Sequence, residues 1–246
     1  MSASRITLRN IQNAQRRLTG HVRRTPLIRS AVLSDRLGAE IWLKLETLQE
    51  TGSFKFRGAM NTLIKMANRG RKRSVIAVST GNHGRALAAA GQRLDVPVSI
   101  CLSTQVPANK VEGIRSHGAD IIIRGDNQDE AEIAAMEIMR TENRVFVSPF
   151  DHPEVIAGQG TVGLELIKED PELDMVITPL SGGVLISGVG CAMKALSPKI
   201  KVIGVSMDRG PAMYLSQKAG KPVPVDEQPS LADALGGGIG DENRYS

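Results

Sequence analysis

Apolar and polar positions recur along this chain in two different periods. In residues 7–19 the apolar positions repeat at helical spacing up to Gly20, which predicts a first helix. The segment Glu40–Glu46 alternates with a period of two and is therefore predicted to be a strand. A polar loop follows it, and the spacing then predicts a second helix over Lys55–Asn68.

From residue 74 onward, short apolar runs alternate with stretches of helical spacing. The predicted strands are Ser74–Ser79, Pro97–Leu102, Ala119–Arg124, Arg144–Pro149, Asp174–Leu180 and Lys201–Met207. The predicted helices between them cover residues 81–94, 107–117, 127–142, 155–169 and 184–196. Because this alternation gives parallel strands covered by helices on both faces, we predict an α/β fold in which the strand over Asp174–Leu180 is buried.

The composition of the 246 residues excludes several classes of protein. With 41% hydrophobic and 23% charged residues, the chain is neither disordered, collagen-like nor a small disulfide scaffold. The two cysteines, Cys101 and Cys191, are far apart and are expected to be free thiols in a reducing compartment. The first ten residues lack an apolar signal-peptide core, so we expect a cytoplasmic protein. The uncharged stretch Met175–Met193 is interrupted by Pro179 and two glycines, which disfavours a membrane span.

Charge is distributed unevenly. Residues 1–80 hold 16 Lys and Arg against 4 Asp and Glu, a balance of +12, and the rest of the chain carries −7. A basic segment can bind nucleic acid, or it can be a solvated helix face or a subunit contact. The arginine clusters lack the interleaved aromatic rings on which bases stack, so we favour the second interpretation and expect no nucleic-acid partner.

Lys55 is the first candidate for chemistry. It lies at a loop-to-helix junction between Phe54 and Phe56, and partial desolvation by two rings would lower its pKa and free the amine as a nucleophile. A lysine that forms a Schiff base needs this setting. The alternative is a surface lysine whose stem lies along apolar neighbours beside Arg57, and spacing alone favours that alternative.

Two further loops join a predicted strand to a helix. Ser79–Gly84 would present backbone N–H groups and a helix dipole to an anion such as a carboxylate, or it could simply cap the helix. In Ser181–Gly188 two glycines let backbone amides approach a phosphate, or they form an ordinary tight turn. The four histidines show no spacing typical of metal ligands.

Six segments together resemble the serine/threonine dehydratase branch of the fold-type II pyridoxal-phosphate enzymes. They are GSFKFRGA, STGNHGRALA, VPANK, VIAGQGTVGLE, PLSGG and LADALGGGIG, and they occur in the family's order. Within the branch, STGNHGRAL, PFDHP, LSGG and GVSMDRGPAM are most similar to the hydroxyectoine-utilisation dehydratase.

The resemblance implies a fold and a reaction. It implies a tryptophan synthase β-like α/β fold of two parallel-sheet lobes, with pyridoxal 5'-phosphate between them. Residues 1–69 and 149–246 would form the large lobe and residues 70–148 the small lobe. The implied reaction is β-elimination of water from a small hydroxy amino acid, which gives a 2-oxo acid and ammonia. The complete protein would be a homo-oligomer, a dimer, without a membrane partner.

The resemblance also assigns roles to single residues. Lys55 corresponds to the lysine that bonds to the cofactor and moves the α-proton, and Phe54 to the residue packed on the cofactor ring. Asn82 corresponds to the asparagine that bonds the 3-oxygen of the ring. The substrate carboxylate would be held by the loop of Ser79, Thr80, Gly81, Asn82 and His83, and the phosphate by Ser181, Gly182, Gly183 and Val184.

Three departures from the family pattern change these expectations. Val184 stands where the phosphate loop usually has another glycine. Ser206 replaces an acidic residue of a divalent-metal site, so we expect no metal there. The chain stops at Ser246, where the family normally continues. We therefore expect exposed apolar surface on Lys201–Met207, low stability and weak cofactor retention. The alternative to an active enzyme is an inactive remnant that binds the cofactor weakly or not at all.

Overall fold

The computed structural model describes residues 5–68, 73–226, 230–240 and 243–246. The described residues form nine α-helices and eight β-strands. The strands are β1 Leu27–Arg29, β2 Trp42–Lys44, β3 Val75–Val78, β4 Val98–Leu102, β5 Asp120–Ile123, β6 Val145–Phe146, β7 Met175–Pro179 and β8 Lys201–Val205. The helices are α1 Leu8–Leu18, α2 Ala31–Leu37, α3 Lys55–Ala67, α4 Asn82–Leu94, α5 Ala108–Arg115, α6 Gln128–Thr141, α7 Pro153–Glu169, α8 Val184–Leu196 and α9 Ala212–Ala219.

Every predicted strand and helix is present, and most bounds agree within two residues. The exception among the strands is β6, which ends at Phe146, three residues before the predicted end at Pro149. The sequence pattern did not predict β1, α2 and α9, which have three, seven and eight residues. Elements this short contain too few positions for a period to be recognised.

The central sheet is parallel, with the strand order β5–β4–β3–β6. Side chains of its strands point alternately to two faces. Ile76, Val78 and Cys101 pack with α6, whereas Ala77 and Ile100 pack in a second cluster with residues of α4 and α5. The chain therefore runs from β3 through β4 to β5 at the edge of the sheet, with α4 and α5 on one face. It then crosses the other face as α6 and returns to β6, next to β3.

Helix α7 holds together the two helices whose first residues are candidates for chemistry. A Cβ atom on Gly158 of α7 would lie 2.6 Å from the Cα of Gly58, so only a glycine lets α3 come this close. A Cβ atom on Gly188 of α8 would lie 2.6 Å from the backbone nitrogen of Gly160. Both α3, which begins at Lys55, and α8 thus pack closely against the buried helix α7 at its glycines.

The pair β7–β8 is parallel and separate from the central sheet. In β7 buried Val176 and Thr178 alternate with exposed Met175, Ile177 and Pro179, so the prediction of a wholly buried strand is wrong. The described chain covers only the face packed on α8, and the other face is left open. Strands β1 and β2 form a third sheet, which is antiparallel rather than parallel.

The exposed face of β7–β8 is apolar. Ile203 and Val205 of β8 lie on it beside Ile177, which is 62% exposed. The sequence led us to expect such a surface on Lys201–Met207, and the structure shows it.

The division into two lobes stays a prediction, and its boundary at residues 69 and 70 lies outside the described residues. None of the described helices is long and apolar enough to cross a membrane.

Candidate active site

The candidate site lies at the carboxyl edge of the central sheet. In an open α/β sheet, ligands bind where neighbouring strands are connected in opposite directions, outside their carboxyl ends. Strands β3 and β6 are such neighbours here. The loop Ser79–Gly81 leaves β3, and the segment Val147–Asp151 leaves β6. Both therefore face one crevice.

Lys55 reaches this crevice from the first position of α3. Its Nζ donates a hydrogen bond to the carbonyl oxygen of Pro149 at 3.0 Å. Burial lowers the pKa of Lys55 to about 8. The amine lies 5.6 Å from the ring centroid of Phe54, whereas Phe56 is fully buried in the core. Only one of the two flanking rings is therefore near the amine, and burial as a whole, not a pair of rings, lowers its pKa.

The helix that carries Lys55 is fixed by a buried guanidinium two residues further along. Arg57 bonds to both carboxylate oxygens of Glu46, at 2.8 and 2.7 Å, and to both of Glu165, at 2.6 and 3.0 Å. Burial by itself would lower the pKa of Arg57, but hydrogen bonds to Glu46 and Glu165 outweigh it and raise that pKa. The first turn of α3 is thus joined to α7 and to the short 3-10 helix Glu46–Leu48.

The loop after β3 places Asn82 as the first residue of α4, and Gly81 is the N-cap residue. The cap of this helix is thus a glycine of the predicted loop, and the side chain of Asn82 does not cap the helix. Ser79 Oγ accepts a hydrogen bond from the Gly81 N–H at 3.3 Å. His83 is buried, and its Nε2 lies 3.0 Å from the carbonyl oxygen of Val147.

The glycine loop before α8 has the geometry of a backbone cradle. Gly183 is the N-cap residue of α8 with φ of +93°, a conformation that glycine adopts without strain. A Cβ atom on Gly182 would lie 2.3 Å from Cβ of Phe150. Val184 is buried in the core cluster, so it contributes its backbone, but not its side chain, to the loop. Ser187 Oγ donates to the carbonyl oxygen of Ser246, which places the last described residues beside this loop.

The three candidate loops meet on one segment, Val147–Asp151. Lys55 bonds to its Pro149, His83 to its Val147, and Gly182 abuts its Phe150. Asp151 accepts backbone N–H bonds from Arg244, Tyr245 and Ser246. The sequence pattern predicts this segment only as the end of a strand and as part of the motif PFDHP. Its position at the carboxyl end of a strand was the signal that could have marked it.

The residues present fit pyridoxal phosphate. Glycines 182 and 183 precede the N-terminus of a 13-residue helix, where backbone N–H groups and the helix dipole favour a phosphate. A lysine with a lowered pKa lies at the same crevice, as covalent attachment of an aldehyde requires. Among the described residues, no group of three His, Cys, Asp or Glu side chains could hold a metal ion. The expectation that Ser206 precludes a divalent metal stays a prediction.

The fold and this crevice define an enzyme of the fold-type II class that uses pyridoxal phosphate. The family model described as pyridoxal-phosphate dependent enzyme matches residues 18–245, and the chain belongs to that family. The fold class and cofactor that the sequence predicted are thereby confirmed.

Individual proteins similar to this chain show which members of the family it resembles. A putative threonine dehydratase of Sinorhizobium fredii is 49% identical over 243 residues, which cover 99% of this chain and 73% of the relative. The L-threonine ammonia-lyase of Thermotoga maritima is 45% identical over 230 residues, which cover 94% of this chain and 57% of the relative. The structure of maize serine racemase matches with a TM-score of 0.90 and 32% identity, and covers 97% of this chain and 72% of that one.

Proposed function

We propose that this protein is a pyridoxal-phosphate-dependent ammonia-lyase that removes water from a hydroxy amino acid of the threonine or serine type. The observation that carries the proposal is the convergence of Lys55 and the glycine loop on the segment Val147–Asp151. The two relatives named a threonine dehydratase and a threonine ammonia-lyase support the substrate class. The products would be a 2-oxo acid and ammonia.

Each group at the crevice has a part in binding. Gly182, Gly183 and the backbone N–H of Val184 would hold the phosphate with Ser181, because they surround the N-terminus of α8. Asn82 would donate to the ring oxygen, and the backbone N–H groups of Ser79–His83 would bind the substrate carboxylate at the N-terminus of α4. Phe54 would pack against the ring.

Lys55 would move the proton. When bound, pyridoxal phosphate supplies an electron sink for negative charge at the substrate α-carbon. Burial brings the pKa of the Lys55 amine to about 8, so an appreciable fraction is neutral near physiological pH and can accept the α-proton. The proton taken from the α-carbon balances the proton that the β-hydroxyl needs to leave as water. The oxygen of an added water then bonds to the former α-carbon while its bond to nitrogen breaks, which releases ammonia and leaves the 2-oxo acid.

Borohydride reduction tests the attachment site. The protein is incubated with pyridoxal phosphate, reduced, digested and mapped by mass spectrometry. The label should appear on the Lys55 peptide and be lost in Lys55→Ala. Lys65 on the same helix is a matched control, because it pairs with Glu154 and lies away from the crevice, so Lys65→Ala should leave the label unchanged. Labelling of another lysine, or no label on wild type, would reject the proposal and favour the inactive remnant.

The substrate is tested with a panel. Release of 2-oxo acid from threonine and serine should depend on added cofactor and vanish in Lys55→Ala. The open-chain hydroxy amino acid that forms when the hydroxyectoine ring is opened belongs in the same panel, because the motifs STGNHGRAL and GVSMDRGPAM favour a hydroxyectoine-utilisation dehydratase as the second candidate. Turnover of that compound, without turnover of threonine or serine, would favour the second candidate.

We also propose that the complete protein works in the cytoplasm as a homodimer on a free amino acid. The exposed apolar side chains of α2 support a subunit contact, since Val32 is 77% and Leu37 is 63% exposed. Light scattering coupled to gel filtration measures the mass. A monomer at all concentrations would contradict the dimer.

A further inference from the structure

Within the described part of the chain, one ring nitrogen of His83 has a hydrogen-bond partner and the other has none. Its side chain is buried, and Nε2 lies 3.0 Å from the carbonyl oxygen of Val147. A carbonyl oxygen can only accept a hydrogen bond, so Nε2 carries the proton and Nδ1 is unprotonated and bears a lone pair. Among the described residues, Nδ1 has no hydrogen-bond partner. The hydrogen bond to the Val147 carbonyl is therefore the one that the His83 ring makes within the described chain.

The surroundings keep this imidazole neutral. Burial is the largest cause that lowers the pKa of His83, the charges of Lys55 from α3 and of His152 at the N-cap of α7 add to it, and the resulting pKa is about 3. The bond to the Val147 carbonyl opposes these effects only in part. His83 thus keeps the same donor through the physiological pH range.

The carbonyl that His83 holds is two residues from the carbonyl that accepts from Lys55. The Val147 N–H donates to Ile76 O at 3.0 Å, so the residue is fixed on both sides. Ser148 Oγ then accepts from the N–H groups of Phe150 and Asp151, at 3.3 and 3.1 Å, and fixes the turn. The ring of Pro149 restricts its φ. The backbone between the Val147 carbonyl, which the imidazole binds, and the Pro149 carbonyl, which accepts from the Lys55 amine, therefore has little conformational freedom.

We propose that His83 is a positioning residue for Lys55: its Nε2–H fixes the segment Val147–Pro149, so that the Pro149 carbonyl holds the Lys55 amine at the crevice whenever the amine is not bonded to the cofactor. The inference rests on the proposed role of Lys55. It assigns to the His83 side chain a task other than holding the substrate carboxylate, which the sequence resemblance implied for the loop.

Two near-isosteric variants test it. His83→Gln keeps an amide donor at the position of Nε2, whereas His83→Met has the same length and no donor. The readouts, both on cofactor-free protein, are the melting temperature and the rate at which added pyridoxal phosphate is captured, followed by absorbance. His83→Met should capture the cofactor roughly fivefold more slowly, as expected for one lost hydrogen bond, and His83→Gln should stay within about twofold of wild type. Equal rates in the two variants would overturn the proposal.

A measurement on wild-type protein covers the case in which a variant does not fold. Nitrogen-15 NMR of the imidazole reports its tautomer in cofactor-free protein. The Nε2–H tautomer with an unprotonated Nδ1 should persist from pH 5 to pH 8, and the other tautomer or a protonated ring in this range would contradict the proposal. If borohydride labels a lysine other than Lys55, the proposed function fails, whatever the tautomer. If Lys55 is labelled and the two variants agree, only the inference about His83 fails.

Discussion

Arg57 and Glu165 form a two-pronged ion pair inside the protein, with Nη1–Oε1 at 2.6 Å and Nη2–Oε2 at 3.0 Å. The Arg57 side chain is 1% exposed and that of Glu165 is 12% exposed, so water screens the pair little. Glu165 also accepts from Lys44 Nζ at 2.9 Å. Because Arg57 is two residues from Lys55 on α3, this pair sets the position of the proposed catalytic amine relative to α7.

Removal of the guanidinium should therefore unfold the protein readily. In Arg57→Met, Glu46 and Glu165 lose their shared cation, and breaking a buried pair on one side typically costs about 3–5 kcal/mol. Urea unfolding followed by circular dichroism measures the loss. Arg115→Met is the matched control, because its pair with Glu112 is exposed and should contribute under about 1 kcal/mol. Equal losses of unfolding free energy in the two variants would show that the buried ion pair stabilises the protein no more than the exposed one.

Lys55 should destabilise the cofactor-free protein at neutral pH. Its pKa is about 8 in the folded chain and 10.5 ordinarily, so below pH 8 folding must bury a charge that the unfolded chain solvates. The folded state binds fewer protons between these values, so this penalty is full below pH 8 and is relieved as the pH rises toward 10.5. Lys55→Met should raise stability at pH 7 by up to about 3 kcal/mol, and by much less at pH 10. A gain that does not depend on pH would contradict this cause.

Buried His83 and half-buried His152 should make the fold sensitive to acid. Burial lowers the pKa of His83 to about 3 and that of His152 to about 4, from 6.5. Below pH 6.5 the unfolded chain binds protons that the folded chain does not, so stability falls as the pH falls toward these values. Each group should cost on the order of 3 kcal/mol at pH 4. Melting temperatures from pH 7 to pH 4 measure the effect. His83→Gln should flatten the curve, and a variant curve that falls as steeply as that of wild type would contradict this cause.

The glycine loop should tolerate no side chain at Gly182. A Cβ atom there would lie 2.3 Å from Cβ of Phe150, so Gly182→Ala must displace the loop or the segment after β6. We expect about a tenfold weaker affinity for pyridoxal phosphate, corresponding to roughly 1.4 kcal/mol. The matched control is Gly190→Ala in α8, where the nearest atom, Val202 Cγ1, is 3.7 Å away. That variant should bind the cofactor like wild type, and a loss of affinity in both would point to α8 as a whole instead of the cradle.

Neighbouring residues of β7 should respond in opposite ways to a polar change. Ile177 lies on the open apolar face, so Ile177→Thr should leave stability within about 0.5 kcal/mol and reduce self-association. Val176 is buried on the other face, so Val176→Thr should destabilise by about 1–3 kcal/mol through an unpaired hydroxyl. Thermal melting and light scattering at increasing protein concentration measure both. Unchanged association in Ile177→Thr would show that this face is not adhesive.

The sequence alone determined the long elements and the chemistry of the loops between them. Helices such as α3 and α8 were predictable because eleven or more residues at helical spacing record a buried face, and glycine at the start of a helix has a local conformational reason. The roles of Lys55, Asn82 and the glycine loop could also be proposed from the sequence, but only because the segments that contain them resemble the dehydratase family.

Only the tertiary structure decided what these loops meet. The importance of Val147–Asp151 depends on β6 lying next to β3, and strand order is a long-range relation that no local period records. The same holds for the open face of β7–β8, since alternation in a strand shows which residues share a face but not whether another layer covers it. The task of His83 likewise depends on a carbonyl 64 residues further along the chain, which packing, not sequence spacing, brings to within 3.0 Å.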